Sequence, residues 1–338
     1  MRRRDLLSLA GSAAAWPLVA RAQQRKLVRL GYLQGETRED ATVQNLRRQF
    51  VLGMRDLDYI EGRDYVLEER YFGGQIDRAA TYAQELVDLR VDVIVAGGEA
   101  AIRAVKRVTS QIPIVMTLAA DPVGSGLVPT LAHPGGNITG MSALASDLAS
   151  KRVELLKELV AQAKRVAVLW NPSNQSKVTE WKDTQIAAQS AGMTLLPVEA
   201  QTSAEIDQAL QSIKRERPDA MIVLTESVTL AFRQQIGEFA VANRLPMIAE
   251  LREFVVVGGL ASYGASRADL WRRSATYVVK ILQGDNPGDL PARDRRVILR
   301  PGRETATGAP LAQPPGSAGI RSGPLSKGRA ASFPATAA

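Results

Sequence analysis

The sequence contains no cysteine, a single histidine and few aromatic residues, which make up 5% of the chain. Without cysteine, the chain can form no disulfide bond, no thiolate metal site and no cysteine nucleophile. The one histidine, His133, has no partners spaced for catalysis or metal binding, and its place before a Pro-Gly-Gly turn favours a structural role. We therefore expect neither a metal site nor a cofactor.

Long hydrophobic runs and familiar catalytic motifs are absent as well. No run after the N-terminal segment approaches the about 20 apolar residues of a membrane helix, so we expect no later membrane span. The sequence has no G-x-S-x-G, no G-x-x-x-x-G-K and no H-E-x-x-H. The Gly-Ser-Gly at 124–126 lacks the third glycine and the following helix of a dinucleotide-binding loop, and it predicts a turn. These absences argue against an enzyme.

The net charge of +8 is concentrated at the two ends of the chain. The combined net charge of residues 1–22 and 291–338 is more positive than the net charge of the whole chain. The net charge of the segment between them is therefore close to zero. A nucleic-acid-binding protein presents its basic residues on a face of the folded domain. We therefore expect no nucleic acid partner.

The N-terminal segment has the pattern of an export signal. Arginines at 2–4 precede a short apolar stretch at 6–15, and Ala20-Arg21-Ala22 has the small-x-small pattern of a signal-peptidase site. The Arg-Arg-Asp-Leu-Leu at 3–7 is similar to a twin-arginine signal, with leucine where phenylalanine is usual. We expect residues 1–22 to be a signal peptide that is cleaved after Ala22, so that the mature protein acts in the periplasm.

The rest of the chain alternates short apolar runs with helical patterns. Strand-like runs at 65–71 and 91–95 alternate with helical patterns at 76–89 and 99–109, which indicates βαβ units around a parallel sheet. The same order returns about 130 residues later, where Arg-Pro-Asp at 217–219 corresponds to Arg-Val-Asp at 90–92. The pattern predicts an internal duplication of an α/β unit, with two Rossmann-like, doubly wound parallel-sheet lobes.

Two such lobes should enclose a cleft, because ligands of open α/β sheets bind beyond the carboxyl ends of the strands and beside helix N-termini. For Tyr32 and Trp170, packing in the hydrophobic core is an equal alternative to contact with a ligand. Two carboxylates from different lobes, Asp121 and Glu250, suit an acid–base pair or the binding of an ammonium group equally well. The predicted ligand contacts are Tyr32, Gln34, Gly98, Glu99, Ala100, Asp121, Trp170, Asn171, Thr225, Glu226, Glu250 and Tyr263.

Several motifs in order give the chain a family resemblance. They are YIEG at 59–62, DPVGSGLV at 121–128, HPGGNITG at 133–140, KRVELL at 151–156, REF at 252–254 and GGLASYG at 258–264. With them, the sequence resembles the ABC-transporter substrate-binding proteins of the tryptophan/tyrosine-binding type over about residues 1–291. The resemblance implies a type I periplasmic-binding-protein fold whose two lobes close like a Venus flytrap. It also implies delivery of a ligand, aromatic amino acids included, to the membrane permease of an ABC importer.

Glycine-rich turns suggest where the lobes are joined. The Gly-Gly-Asn at 135–137 is a flexible turn at which the chain should cross to the second lobe, and Gly-Gly at 258–259 precedes a plausible return. We expect one lobe from 23–140 plus 266–290 and the other from 141–265. We expect a monomer with a small-molecule ligand and a permease as its partners. A periplasmic sensor subunit with this fold, and a small hydrolase or isomerase that uses Asp121 and Glu250, stay open as alternatives.

Two departures from the family pattern carry further expectations. The family commonly has Thr or Ser followed by Pro after the third strand, where this chain has Glu99 and Ala100. If the Glu99 side chain points into the cleft, an amine-bearing or neutral polar ligand is expected at least as readily as an amino acid; if it faces solvent and only caps the helix, an amino acid remains the expected ligand. The C-terminal region 291–338 loses all periodicity after 299 and is rich in Gly, Pro, Ala, Ser and Arg. We expect residues from about 301 to be disordered, as in a frameshifted or degenerated gene end, and the final strand to be missing.

Overall fold

Apolar strands form a first parallel sheet at the start of the chain. The computed structural model describes residues 27–143, 148–292 and 297–301. All neighbours in this sheet are parallel, and their order, β2-β1-β3-β4-β5, reverses between β1 and β3, which is the switch point of a doubly wound sheet. The strands are β1 (Val28–Gln34), β2 (Tyr65–Tyr71), β3 (Val93–Gly97), β4 (Ile114–Ala119) and β5 (Ile138–Ser142).

Amphipathic helices cover this first sheet. In α3, the buried positions Ala101, Ile102, Ala104 and Val105 form one apolar face, as the helical period requires. Each face of the sheet carries its own cluster of buried apolar side chains. The helices that connect its strands are α1 (Ala41–Arg55), α2 (Ile76–Asp88) and α3 (Glu99–Val108).

A second sheet repeats the first in strand order. Its parallel strands lie in the order β7-β6-β8-β9-β10, which matches the first sheet strand for strand, and both faces again carry buried apolar clusters. The predicted duplication therefore has a structural counterpart. The elements are α4 (Ala149–Leu159), β6 (Arg165–Trp170), α5 (Gln175–Ser190), β7 (Thr194–Glu199), α6 (Ile206–Glu216), β8 (Ala220–Val223), α7 (Ser227–Ala231), α8 (Arg233–Ala242), β9 (Met247–Ala249), α9 (Arg252–Val256) and β10 (Ala261–Ala265).

The last helix returns to the first lobe. Helix α10 (Arg267–Leu282) packs along α1. The two helices approach closely because Gly53 has no side chain: a Cβ atom there would lie 2.0 Å from the carbonyl oxygen of Arg272. The chain thus leaves the first sheet after β5 and comes back between β10 and α10.

Two expectations about chain ends and crossings are wrong. The turn at Gly135 and Gly136 is not the crossing, because β5 follows it and pairs with β4; the turn instead packs on a 3₁₀ turn at Pro287–Asp289, where Gly135 N–H donates to the Gly288 carbonyl. The final strand is not missing either, since β11 (Val297–Pro301) pairs antiparallel with β10 at the edge of the second sheet. The disorder predicted from about 301 concerns residues 302–338, which lie outside the described residues, as does the predicted signal peptide.

Within 27–143, 148–292 and 297–301, no helix is both long enough and apolar enough to cross a bilayer. In the same ranges, histidine, aspartate and glutamate side chains form no group of three that could hold a metal ion.

Candidate ligand-binding site

The carboxyl ends of both sheets meet at a small cavity between the lobes. Its volume is about 30 Å³, which is room for about one or two water molecules. Most of the lining residues lie at the carboxyl ends of parallel strands or at the start of helices, and both lobes supply the wall. The lining residues are Glu36, Gly97, Gly98, Glu99, Leu118, Ala120, Asn174, Ser176, Lys177, Thr225, Glu226, Ser227, Leu230, Glu250, Leu251 and Arg267.

Two larger grooves open on either side of this cavity. The α3 groove, about 670 Å³, lies between α2, α3 and the loops after β6 and β7, and it shares Glu99, Asn174 and Glu226 with the cavity. The α9 groove, about 440 Å³, lies between α1, α9 and β10, and it shares Glu250 and Arg267. A ligand headgroup in the cavity could therefore extend its remainder into either groove.

Residues of the two lobes contact each other beside the cavity. Asp40, which caps the N-terminus of α1, forms an ion pair with Arg233 at the start of α8, and both side chains are mostly buried. Beside them, a Cβ atom on Gly74 would lie 3.0 Å from the Cβ atom of Ala231. The lobes are therefore in contact beside the cavity, and the cavity itself is too small for a ligand of amino-acid size.

A fully buried charge network lies under the second-lobe wall of the cavity. Glu180 accepts hydrogen bonds from Arg152 Nη2 at 2.5 Å and from Lys177 Nζ at 2.6 Å, and Lys177 Nζ lies 3.6 Å from Glu250 Oε2. Burial alone would raise the pKa of Glu180, but Lys177 and Arg152 outweigh it and hold this pKa below its usual range. The same burial, together with the charge of Glu180, raises the pKa of Glu250 despite the opposing Lys177. The network thus links α4, α5 and the end of β9 to the cavity.

Arg267 supplies the wall where the chain returns to the first lobe. Its Nη2 donates to Glu36 Oε1 at 2.5 Å, and its Nη1 lies 3.7 Å from Glu253 Oε1, so two carboxylates flank one guanidinium. The guanidinium also lies 5.2 Å from the centre of the Trp271 ring, within cation–π range. Its Nε and Nη1 atoms are buried and make no hydrogen bond.

Glu99 points toward the cavity from the N-terminus of α3. Its Oε1 accepts from Arg103 Nε and Nη2, at 2.9 and 2.6 Å, whereas its Oε2 is buried and makes no hydrogen bond. Glu99 is only 7% exposed and lines both the cavity and the α3 groove. Glu99 therefore lies at the cleft rather than on the solvent-exposed surface.

The loop after β8 adds a third cavity residue with a side-chain atom that makes no hydrogen bond. Thr225 is 5% exposed and its Oγ1 makes no hydrogen bond. The next residue, Glu226, caps α7 by accepting from the N–H groups of Val228 and Thr229. Burial raises the pKa of Glu226 to about 6, against the opposing effect of these hydrogen bonds and of Lys177.

The structure gathers most of the predicted contacts but places four of them elsewhere. Tyr32 is buried in the first-lobe core, where its hydroxyl accepts from Trp271 Nε1. Asp121 accepts from the Gly124 N–H in its own turn, and Trp170 stacks on Trp181 in the second-lobe core. Tyr263 packs at the edge of that same core.

The remaining predicted contacts lie at the cleft. Gly98, Glu99, Thr225, Glu226 and Glu250 line the cavity, and Ala100 and Asn171 line the α3 groove. Gln34 supports the cavity from behind Gly97, since a Cβ atom on Gly97 would lie 1.8 Å from Gln34 Oε1.

The sequence prediction missed four charged residues of the site: Glu36, Lys177, Arg267 and the supporting Glu180. Lys177 and Glu180 stand one helical turn apart, which is a recognisable signal for an ion pair. Nothing in the local sequence indicates that they are buried, because their other partners come from distant segments.

Comparison with known proteins places this geometry in a family context. A family model described as ABC transporter substrate binding protein matches residues 39–298. A curated tyrosine-binding protein of Clostridioides difficile is 26% identical over 253 residues, which are 75% of this chain and 72% of that protein.

Solved structures agree on the fold. A conserved domain protein of Vibrio cholerae is 27% identical with a TM-score of 0.76, covering 82% of this chain and 92% of that one. An ABC domain from Streptococcus pneumonia in complex with L-Trp is 24% identical with a TM-score of 0.72, covering 79% and 88% of the two chains. The second likeness is one of fold alone.

Proposed function

Because the chain belongs to the ABC transporter substrate-binding protein family, we propose that it captures a small polar solute between its lobes and delivers it to the membrane permease of an ABC importer. The solute is an amino acid, aromatic ones included, or a related amine. The protein works in the periplasm as a monomer, after removal of its signal peptide.

One observation carries this proposal: residues of both lobes that line one cavity have buried polar atoms without hydrogen-bond partners. They are Glu99 Oε2 in the first lobe, Thr225 Oγ1 in the second, and Arg267 Nε and Nη1 at the return crossing. An unsatisfied buried polar atom costs about 1–3 kcal/mol, so such atoms rarely persist without a role. A polar solute that satisfies them would stabilise the closed form over the open one, and this preference is what drives lobe closure.

The hydrolase alternative loses its support in the site geometry. It requires Asp121 and Glu250 to act as a pair, but Asp121 holds its own turn and is not among the residues that line the cavity. The cavity carboxylate Glu250 is already engaged by Lys177.

Isothermal titration calorimetry, guided by a thermal-shift screen of amino acids, amines and sugars, tests the proposal. We expect one solute per chain, bound tightly and recovered chemically unchanged after denaturation of the protein. Conversion of the solute would indicate an enzyme, and failure of every small polar solute to bind would contradict the proposed function.

A further inference from the structure

Carboxyl groups outnumber basic side chains around the cavity. Four of its lining residues are glutamates, Glu36, Glu99, Glu226 and Glu250, whereas only Lys177 and Arg267 are basic. Their ion-pair partners do not change the balance among the described residues: Arg103 and Arg152 add two positive charges, and Glu180 and Glu253 add two negative ones. The site as a whole therefore has two more carboxylates than cations.

The two basic residues are already neutralised by protein carboxylates. Lys177 lies between Glu180 and Glu250, and Arg267 lies between Glu36 and Glu253. The free N–H groups of Arg267 suit a neutral oxygen, such as a hydroxyl or carbonyl, as well as a carboxylate. A ligand carboxylate would have to enter a buried site that already has surplus negative charge, which is unfavourable.

The atoms left to be satisfied on the other side of the cavity can both accept hydrogen bonds. Glu99 Oε2 is an ionisable oxygen without a hydrogen bond, and Arg103 binds only the other oxygen of that carboxylate. Thr225 of the opposite lobe lines the same cavity, and its hydroxyl oxygen Oγ1 has no hydrogen-bond partner either. An ammonium or guanidinium group offers the donors that both oxygens can accept, together with the charge that the site lacks.

We infer that the solute bound here carries a net positive charge, and that Glu99 Oε2 and Thr225 Oγ1 accept hydrogen bonds from its ammonium or guanidinium group. This inference rests on the proposed function and names the class of its solute. Amines without a carboxylate, and basic compounds generally, should bind more tightly than neutral zwitterions of the same shape.

Matched pairs of probes that differ by one carboxylate test this inference. Tyramine with tyrosine, tryptamine with tryptophan, and agmatine with arginine are titrated by calorimetry into the full-length mature protein at pH 7.5. Within each pair that binds, the amine should bind more tightly. Glu99→Gln should weaken amine binding by about 10- to 100-fold, because a charge-assisted hydrogen bond is lost.

Two further variants separate the role of Glu99 from a loss of folding. Thr225→Val removes the second acceptor without touching Glu99 and should weaken the same amines, whereas Glu154→Gln on the exposed surface of α4 should leave every affinity unchanged. Circular dichroism and the unfolding temperature without solute show whether each variant is folded.

The outcomes distinguish this inference from the proposed function. If only neutral or acidic solutes bind, or if folded Glu99→Gln binds amines as the parent does, the inference is overturned while solute capture stands. If a wider thermal-shift panel of cationic, zwitterionic, anionic and sugar probes yields no ligand, both are overturned. Tighter binding of amines, with its loss in Glu99→Gln, supports both.

Discussion

Glu180 is the residue whose charge we expect the second lobe to need most. It is fully buried and accepts hydrogen bonds from two buried cations, Arg152 and Lys177. Two unit charges about 4 Å apart attract by about 4 kcal/mol at the effective dielectric constant of protein sites, and breaking a buried pair by removing one partner costs about 3–5 kcal/mol. Glu250, at 3.6 Å, still offsets part of the charge on Lys177. We therefore expect Glu180→Gln to lower the free energy of unfolding by about 3–5 kcal/mol.

Urea unfolding provides the assay. The stacked rings of Trp170 and Trp181, with centres 5.2 Å apart, give a fluorescence signal from the second lobe, and far-UV circular dichroism reports the whole chain. The matched control is Glu216→Gln, because Glu216 pairs with Arg165 on the surface, where both side chains are about half exposed. An exposed pair of this kind contributes about 1 kcal/mol or less.

We also expect the charges of the buried network to be energetically coupled. Removing Lys177 in the Glu180→Gln background, as Lys177→Met, should cost much less than the two single changes added together, because the uncompensated cation is removed with it. If Glu180→Gln and Glu216→Gln lower the free energy of unfolding equally, or if the two network changes are additive, the buried network does not contribute as the geometry implies.

Three further predictions concern closure, pH and export. Asp40→Asn keeps a good N-cap on α1 but removes the charge that faces Arg233. Solute affinity measured by calorimetry should therefore fall by about 3- to 10-fold. An unchanged affinity would show that this ion pair does not stabilise the closed form. Burial raises the pKa of Glu226 to about 6, and Lys177 offsets this effect only in part. The carboxylate therefore takes up a proton as the pH falls from about 7 to about 5, and the affinity for a cationic solute should decrease. An affinity that does not change with pH would contradict this. Peptide sequencing of periplasmic protein should find an N-terminus near Gln23, and retention of the uncleaved segment in the cytoplasm would refute export.

Most of the fold follows from local pattern, and the exceptions are short elements. The strand predicted at 65–71 coincides with β2, and the helices predicted at 76–89 and 99–109 match α2 and α3 to within one residue, because each segment is long enough to show its period. Helices α7 and α9 and strand β5 were not predicted as such, since five residues are too few to establish a period. The crossing was misplaced for the same reason: without β5, the glycine turn before it looks like the end of the lobe.

The site could be predicted in part, because parallel strands bring their carboxyl ends to one edge. That rule correctly gathers Glu99, Thr225, Glu226 and Glu250 around the cavity. It does not tell on which face of its strand a side chain lies, so Trp170 and Tyr32 were assigned to the cleft although they pack in the cores. Burial of the charge network depends on contacts between distant segments, which no local pattern records.

Mass spectrometry of the solute released by denaturing protein purified from its native periplasm shows directly whether the lobes capture a solute. We expect one small polar molecule per chain, bearing an amine or guanidinium group and a net positive charge. Release of a neutral or acidic solute would overturn the charge inference alone. Recovery of protein without any bound small molecule, under conditions where added solutes of every class also fail to bind, would contradict capture of a solute between the lobes.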